Sequence, residues 1–260
     1  MLYGTIYGDI AGSMYEFRSV KDYNFTSVPK GSHFTDDTVM TLAIAKWLMN
    51  DGWGDEGLVE AMQEMGRAYP KAGYGGMFRK WLASENPKPY NSFGNGSAMR
   101  VAPCAWIADT LATAEALAKV SAEVTHNHPE GIKGAHAVAA AIVVAKEDYD
   151  KCEIKEYITK TYGYNLNRTV QEIKDSGYKF DSTCQGSVPE AIIAFLEGTD
   201  FDEVIRLAIY LGGDADTQAA IAGSIAEAFY GIPDKNVEIA KKYLDKNLID
   251  IIYQFNKFCF

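Results

Sequence analysis

One stretch constrains the fold more than any other, the run from Gly212 to Gly231. It opens as Gly212-Gly-Asp-Ala-Asp-Thr217 and continues from Ala219 to Tyr230 in small and apolar residues that leave no polar face. Helical spacing without a polar face predicts a buried helix. Asp214 and Asp216 are therefore expected in the interior or at the floor of a cleft, where two carboxylates are costly unless a cation meets them.

Two interpretations of this stretch are open when it is taken alone. Asp and Thr are ordinary residues at helix starts, so Asp214, Asp216 and Thr217 could simply cap the helix. The free N–H groups and the positive end of the helix dipole would hold one carboxylate ionised. A second carboxylate at the same place indicates a metal ion instead.

A second acidic helix start lies far upstream and favours the metal site. Phe34-Thr-Asp-Asp-Thr38 precedes the segment Val39 to Met49, whose pattern predicts an amphipathic helix. Thr35 is the expected N-cap, and Asp36 and Asp37 stand in the first turn, where the helix dipole keeps carboxylates deprotonated. Two such helix starts predict one shared site whose oxygen ligands suit Mg²⁺ or Mn²⁺.

The segment from Tyr3 to Phe17 predicts an apolar helix. Three glycines recur in it at intervals of four residues: Gly4, Gly8 and Gly12. Such glycines share one face and let another backbone come close, at a cost in helix propensity of about 1 kcal/mol each relative to Ala. Asp9 and Glu16 lie seven residues apart and are expected on one face of this helix. Glu16 either faces solvent or belongs to a buried site, and the apolar residues around it favour the buried site.

A glycine-rich loop, Gly94-Asn-Gly-Ser-Ala-Met-Arg100, opens a predicted helix that reaches about Ala108. Backbone N–H groups at such a turn can cradle an anion, which makes Gly94, Asn95, Gly96 and Ser97 candidates for ligand binding. The Gly-Lys-Thr/Ser ending of a P-loop is absent. An ordinary loop-to-helix turn explains the pattern nearly as well.

Two histidines stand in Thr125-His-Asn-His-Pro129, before an alanine-rich helix that reaches about Lys146. His126 and His128 could be zinc ligands, but no Cys or further His stands at zinc spacing. We expect one of these histidines to contact the ligand and the other to cap the helix.

Helical patterns account for the other segments, and no alternating strand or βαβ unit appears, so the predicted fold class is all-α. Glu147 to Asp181 is the most polar part and could hold short surface helices or a small excursion from the core. A turn is expected at residues 50–54. The remaining predicted helices cover residues 55–69, 74–82, 112–125, 190–196 and 201–211, and one or two closing amphipathic helices are expected over residues 236–258.

Composition excludes several classes of protein. The net charge is −10 and no basic stripe is present, so long nucleic acid is not an expected partner, although helix N-termini can still bind a small anion. The four cysteines lie far apart and form no CxxC pair, which indicates reduced thiols in a cytosolic protein. No apolar run approaches the roughly 20 residues of a membrane span. The chain is therefore expected to be soluble and cytoplasmic, with no membrane partner.

Five motifs together resemble the ADP-ribosylglycohydrolase family, which includes the dinitrogenase reductase-activating glycohydrolases. In chain order they are Gly8-Asp-Ile-Ala-Gly12 with Glu16-Phe17, Thr35-Asp-Asp-Thr38, Gly94-Asn-Gly-Ser-Ala-Met-Arg100, Thr125-His-Asn-His-Pro129 and Gly212-Gly-Asp-Ala-Asp-Thr217. The resemblance implies a single-domain, all-α orthogonal bundle over residues 1–260 with a central metal-binding cleft. It also implies hydrolysis of the bond between C1″ of ADP-ribose and an acceptor, on a protein side chain or a small molecule.

The resemblance further implies roles for individual residues. Two Mg²⁺ or Mn²⁺ ions would be held by Thr35, Asp36, Asp37, Asp214, Asp216 and Thr217. The distal ribose and the diphosphate would lie against the Gly94–Ser97 loop and His128. Glu16 or Asp36 would take a proton from the attacking water, and the sequence leaves that choice open. The alternative is a catalytically silent structural or ADP-ribose-binding member of the same fold, but every predicted ligand is present, which favours a working site.

Overall fold

A computed structural model of the chain describes residues 1–50, 54–147 and 149–259, and these residues form fifteen helices. The helices are α1 (Tyr3–Gly12), α2 (Asp36–Met49), α3 (Asp55–Ala68), α4 (Gly76–Ala83), α5 (Gly96–Met99), α6 (Ala102–Ile107), α7 (Leu111–Glu123), α8 (Pro129–Lys146), α9 (Lys151–Tyr162), α10 (Val170–Asp175), α11 (Cys184–Glu197), α12 (Phe201–Leu211), α13 (Ala215–Tyr230), α14 (Asp234–Lys241) and α15 (Lys246–Cys259). The described ranges contain no strand, only an isolated antiparallel bridge between Gly94 and Thr183. The all-α prediction is confirmed.

Helix α13 is the central element. Every residue from Ala215 to Glu227 is buried, and the helix packs against α1, α8, α11 and α12. The sequence places the start of this helix at Ala219, whereas the structure begins it four residues earlier. Asp216 and Thr217 therefore belong to its first turn, and Asp214 is the N-cap residue.

Helices α1 and α13 touch along their backbones. A Cβ added at Gly4 would lie 2.3 Å from the carbonyl oxygen of Gly223, and one added at Gly8 would lie 2.1 Å from that of Ala219. A Cβ at Gly12 would lie 2.3 Å from the Cα of Asp216. These distances leave no room for any side chain, so the prediction that the glycines admit another backbone is confirmed.

Helix α2 corrects one prediction. The sequence predicts an amphipathic helix, but eleven of its fourteen residues are buried, between α1, α3, α6 and α15. The threonine hydroxyls of α2, which give the sequence its polar face, point into the protein. That of Thr38 donates to Asp9, and that of Thr41 donates to the carbonyl of Met99 at 3.4 Å.

Two predicted helices have different ends in the structure. Helix α1 stops at Gly12, where the backbone N–H of Tyr15 donates to the carbonyl of Gly12 at 2.7 Å and the chain turns. The helix expected to run to Ala108 breaks between α5 and α6. The break follows from Pro103, which has no N–H to give to the carbonyl of Met99.

Helix α11 begins at Cys184 instead of Glu190 and carries Pro189 inside it. The Thr183 hydroxyl accepts from Gly186 N at 3.1 Å and caps the earlier start. The polar stretch from Glu147 holds the short helices α9 and α10, each opened by a capping box. The turn predicted at 50–54 falls largely on residues 51–53, which lie outside the described residues. No helix in the described ranges is long and apolar enough to cross a membrane.

Candidate active site

A cleft of about 730 Å³ opens where the starts of α2, α5 and α13 meet. Its volume falls within the range of small-molecule sites. A larger surface groove of about 1010 Å³ lies against α3, but it contains none of the predicted site residues and, of the five motifs, only Asn127. The motif residues that line the cleft are Glu16, Phe17, Asp36, Asp37, Gly94, Asn95, Gly96, Met99, Arg100, His126, Asp214, Asp216 and Thr217.

Three carboxylates converge on one side of this cleft. One oxygen each from Glu16, Asp214 and Asp216 lies within 4.8 Å of the others. Asp214 and Asp216 are buried, and Glu16 is half-buried in the turn after α1. Carboxylates this close repel one another, so the arrangement suits a divalent cation.

Asp37 connects the two acidic helix starts. Its Oδ2 accepts a hydrogen bond from Thr217 at 3.3 Å and lies 3.4 Å from the hydroxyl oxygen of Thr35. Its Oδ1 is buried and has no hydrogen-bond partner among the described residues. A buried carboxylate oxygen without a partner is costly, and a cation would satisfy it.

Asp9 fixes the start of α2 by accepting hydrogen bonds from Thr35 and Thr38. It is fully buried, and Oδ2 accepts from the backbone N–H groups of Thr35 and Thr38 at 2.9 and 3.1 Å. Both threonine hydroxyls also donate to this carboxylate, at 2.7 Å from Thr35 and 2.5 Å from Thr38. The prediction that Asp9 and Glu16 share one helix face is wrong, because α1 ends between them. Asp9 binds the start of α2, whereas Glu16 lines the cleft.

The glycine-rich loop is fixed to the acidic side of the cleft by Asn95. Its amide Nδ2 donates to Asp214 Oδ2 at 2.7 Å, and its backbone N–H donates to the carbonyl of Ser182 at 2.8 Å. Gly94 and Gly96 face the cleft, but Ser97 lies beneath the loop. Ser97 is fully buried, and its hydroxyl donates to the carbonyl of Gly131 at 2.7 Å.

The two histidines take different places. His128 caps α8, because its Nδ1 accepts from the backbone N–H of Glu130 at 3.1 Å, and its ring lies edge-on to Phe93. It is not among the residues that line the cleft. His126 is buried and does line it, with Nδ1 2.7 Å from the hydroxyl of Thr125. One histidine therefore caps a helix, as expected, but it is the one that the resemblance assigned to the ligand.

Burial shifts the protonation of the acidic cluster. Desolvation, followed by the charges of neighbouring carboxylates, raises the pKa of Glu16 and of Asp36 to about 8 each. Burial also raises the pKa of Asp214 to about 6, and it raises the pKa values of Asp37 and Asp216 well above their ordinary range. A bound cation would reverse these shifts by favouring the charged carboxylates.

Aromatic side chains surround the mouth of the cleft. Phe17 is 78% exposed, yet its ring centroid lies 5.4 Å from that of Phe180, which comes from the loop before α11. Phe93 and Met77 are also exposed at the mouth. Apart from the motif position of Phe17, no sequence pattern predicts a role for these residues.

The structure thus brings most of the predicted site residues to one cleft and leaves three behind it. Thr35, Ser97 and His128 do not line the cleft, although Thr35 contacts Asp37 directly. The resemblance assigned no role to Asp9, Arg100 or His126. All three stand within the five motifs, but only the folded chain shows which side chain faces the cleft.

Known proteins resemble this chain over nearly its whole length. The profile of the ADP-ribosylglycohydrolase family matches residues 1–253. Human ADP-ribosylhydrolase ARH3 is 28% identical over 89% of this chain and 84% of its own length. ADP-ribosylarginine hydrolase Tri1 of Pseudomonas putida is 26% identical over 93% of this chain and 72% of its own.

Two further similarities concern partial coverage and fold. An uncharacterised protein of Archaeoglobus fulgidus is 35% identical, but the match covers 55% of this chain and about half of that protein, 52%. A solved structure described as an ADP-ribosylglycohydrolase-related protein complex superposes with a TM-score of 0.72 at 24% identity, over 98% of this chain and 95% of that one. This last similarity concerns the fold alone.

Proposed function

Because the chain belongs to the ADP-ribosylglycohydrolase family, we propose that it removes ADP-ribose from an acceptor by hydrolysing the glycosidic bond at C1″. The observation that carries this proposal is the set of acids converging in the cleft, Glu16 with Asp214 and Asp216. Glycosidic cleavage develops positive charge at the anomeric carbon, which a carboxylate-rich surface favours. The names of the human and Pseudomonas relatives support the same reaction.

The acidic residues fit a pair of Mg²⁺ or Mn²⁺ ions. The donor set consists of carboxylate and hydroxyl oxygens, which these hard cations prefer, and the buried Oδ1 of Asp37 has no other partner among the described residues. Such ions supply charge that orients sugar hydroxyls and makes a nearby water more acidic. The residues proposed to hold them are Thr35, Asp36, Asp37, Asp214, Asp216 and Thr217, with Glu16 beside them.

Glu16 or Asp36 is the proposed proton acceptor in the reaction. The attacking water gives a proton to this carboxylate, its oxygen forms a bond to C1″, and the bond from C1″ to the acceptor breaks. The same carboxyl group then returns the proton to the leaving acceptor. Glu16 is half-buried at the mouth side and Asp36 stands in the first turn of α2, so both reach the cleft.

We propose that the ribose and diphosphate of ADP-ribose lie next to the acidic cluster, against Gly94, Asn95 and Gly96. The ligand contact assigned to His128 by resemblance moves to His126, because His128 is occupied in capping α8. Arg100 places a buried positive charge on this side. The cleft therefore has an acidic side for the reacting sugar and a side with donors for the anion.

The group from which ADP-ribose is removed is to be identified by experiment. Arginine, serine and small-molecule linkages all fit the reaction, and the relative Tri1 is named for arginine. We therefore propose a substrate panel of ADP-ribosylated arginine peptide, serine peptide and small molecules, each with and without Mg²⁺ or Mn²⁺. Release of free ADP-ribose from at least one of them, dependent on the metal, is the expected result.

Variants assign the reaction to the cleft. Asp216→Asn removes one proposed ligand without a change of size, and Glu16→Gln removes one candidate for the proton acceptor. We expect Asp216→Asn to abolish metal-dependent release. Glu16→Gln should lower turnover by roughly a hundredfold if Glu16 is the acceptor of the proton, and near wild-type turnover would assign that role to Asp36.

The exposed Asp250→Asn serves as the control for both variants. If wild-type protein released ADP-ribose from no substrate and bound no metal, the alternative of a catalytically silent structural or ADP-ribose-binding protein would be favoured.

A further inference from the structure

Arg100 is a buried cation without an ion pair. It is 1% exposed, and it forms no salt bridge with the carboxylates of the described ranges. Its Nη2 donates instead to the carbonyl of Ser121 at 2.6 Å and to the hydroxyl of Thr125 at 2.8 Å. Burial lowers the pKa of Arg100 to about 10, so it is still charged at neutral pH. An unpaired buried charge is costly and calls for a role.

The hydrogen of the Thr125 hydroxyl has one suitable acceptor. The oxygen already accepts from Arg100, and it lies 2.7 Å from His126 Nδ1. The other neighbour within reach is the carbonyl of Ala122, at 3.5 Å. That carbonyl already accepts two backbone N–H groups, from Thr125 at 3.1 Å and from His126 at 2.7 Å, which use both its lone pairs. The hydroxyl therefore donates to His126 Nδ1.

This direction fixes the tautomer of His126. An imidazole whose Nδ1 accepts a hydrogen bond carries its proton on Nε2 when it is neutral. Burial lowers the pKa of His126 well below its ordinary value, and the positive charge of Arg100 further disfavours a second proton on the ring. The ring of Tyr90, whose centroid lies 5.9 Å away, packs beside the imidazole and adds no charge at neutral pH.

The free end of the imidazole points to the glycine-rich loop. Nε2 forms no hydrogen bond to the described residues, and the ring lines the cleft. A Cβ added at Gly96 would lie 3.1 Å from Nε2, and one at Gly94 would lie 3.5 Å from it. The loop thus leaves this nitrogen accessible through its lack of side chains.

We propose that Arg100 and Thr125 are positioning residues that hold His126 as a neutral Nε2–H donor, aimed at an oxygen of the anionic ligand beside Gly94 and Gly96. The identification of that ligand as ADP-ribose rests on the proposed function. The hydrogen-bond direction along Arg100, Thr125 and His126 does not depend on it. A fixed donor binds an acceptor oxygen without the cost of orienting the ring on binding.

The first test is spectroscopic and needs no substrate. Protein labelled with ¹⁵N in histidine shows the protonated nitrogen of each of its four histidines, and the signals that disappear in His126→Asn belong to His126. We expect the proton on Nε2 in the wild type and in Thr125→Ser, which keeps the hydroxyl. Thr125→Val removes the hydroxyl and should release the tautomer. A proton on Nδ1 in the wild type would overturn the proposal.

The second test measures ADP-ribose affinity by calorimetry. Thr125→Val should weaken binding by roughly two- to tenfold, the value of one neutral hydrogen bond, and Thr125→Ser should restore it. Thr5→Val is the matched control, because Thr5 is equally buried and its hydroxyl has no partner among the described residues. Equal affinity of Thr125→Val and the wild type would overturn the positioning role. If wild-type protein bound no ADP-ribose while His126 kept its proton on Nε2, the proposed function would fall and the tautomer assignment would stand.

Discussion

Asp9 contributes to the site through the residues that it holds, since it does not line the cleft itself. Asp9→Asn would turn an amide NH₂ toward donors of Thr35 or Thr38 and leave them unpaired. We expect a loss of about 3 kcal/mol in the free energy of unfolding, because each buried unsatisfied group costs about 1–3 kcal/mol. Urea denaturation measures it. The exposed Asp250→Asn should stay within about 0.5 kcal/mol of the wild type, and an equally small change for Asp9→Asn would contradict the role.

The acidic cluster predicts how the stability of the metal-free protein depends on pH. Glu16 and Asp36 have pKa values of about 8 in the folded protein, against ordinary values of 4.5 and 3.8. Between those limits the folded protein binds more protons than the unfolded chain. Its free energy of unfolding therefore falls as pH rises from about 5 to 8, by at most about 1.4 kcal/mol per pH unit for each such proton.

Asp36→Asn tests this dependence, because it removes one of the titrating groups. Urea denaturation in the presence of a chelator at several pH values should show a shallower fall for the variant than for the wild type. A stability that is constant or rises from pH 5 to 8 in the wild type would show that the cluster is not desolvated as the structure has it.

Individual residues show where sequence reasoning reached its limit. The Asp/Thr pattern before two helices was sufficient to predict four of the five acidic residues that line the cleft, since helix caps and apolar periodicity can be recognised from neighbouring residues. His126 and His128 lie in the same motif and differ only in the direction of their side chains. That direction depends on Thr125, Gly96 and Phe93, which the sequence does not place in space.

At the level of elements, the contact between α1 and α13 depends on the absence of side chains. Gly8→Ala would put a methyl group 2.1 Å from the carbonyl oxygen of Ala219, where backbone faces backbone and neither can move alone. We expect a loss of about 3 kcal/mol in the free energy of unfolding. Gly76→Ala is the control, with nothing within 4 Å of the new Cβ. Similar denaturation midpoints for the two variants would refute the close contact.

The helices themselves were largely predictable, and their ends were less so. Helix α12 has the bounds that its periodicity predicts, because its apolar stripe and its N-cap Asp200 agree. The beginning of α11 was missed because Pro189 reads as a loop residue, whereas it lies inside the helix and leaves the carbonyl of Gln185 without a helical N–H donor. The environment of α2 was missed because its threonines satisfy their hydroxyls inside the protein, through partners distant in sequence.

At the scale of the whole molecule, the proposed metal ligands come from the starts of α2 and α13, which are distant in sequence and lie close together only in the folded protein. A cation that binds the folded protein alone adds about 2.7 kcal/mol of stability at a hundredfold excess over its dissociation constant. We expect Mn²⁺ to raise Tm in one cooperative transition, and Asp216→Asn to abolish the increase. Differential scanning calorimetry measures it. An equal increase in both proteins would place the cation elsewhere.

The pairing of α1 with α13 also has a consequence for biosynthesis. The ribosome makes α1 before α13, so the surface that the glycines of α1 fit emerges only after all the helices between them have been synthesised. Contacts between such distant segments form slowly, and the surfaces that await them are exposed meanwhile. A nascent chain interrupted before Gly212 lacks both the partner of α1 and the proposed ligands at the start of α13. The candidate active site therefore cannot assemble during synthesis until α13 has emerged.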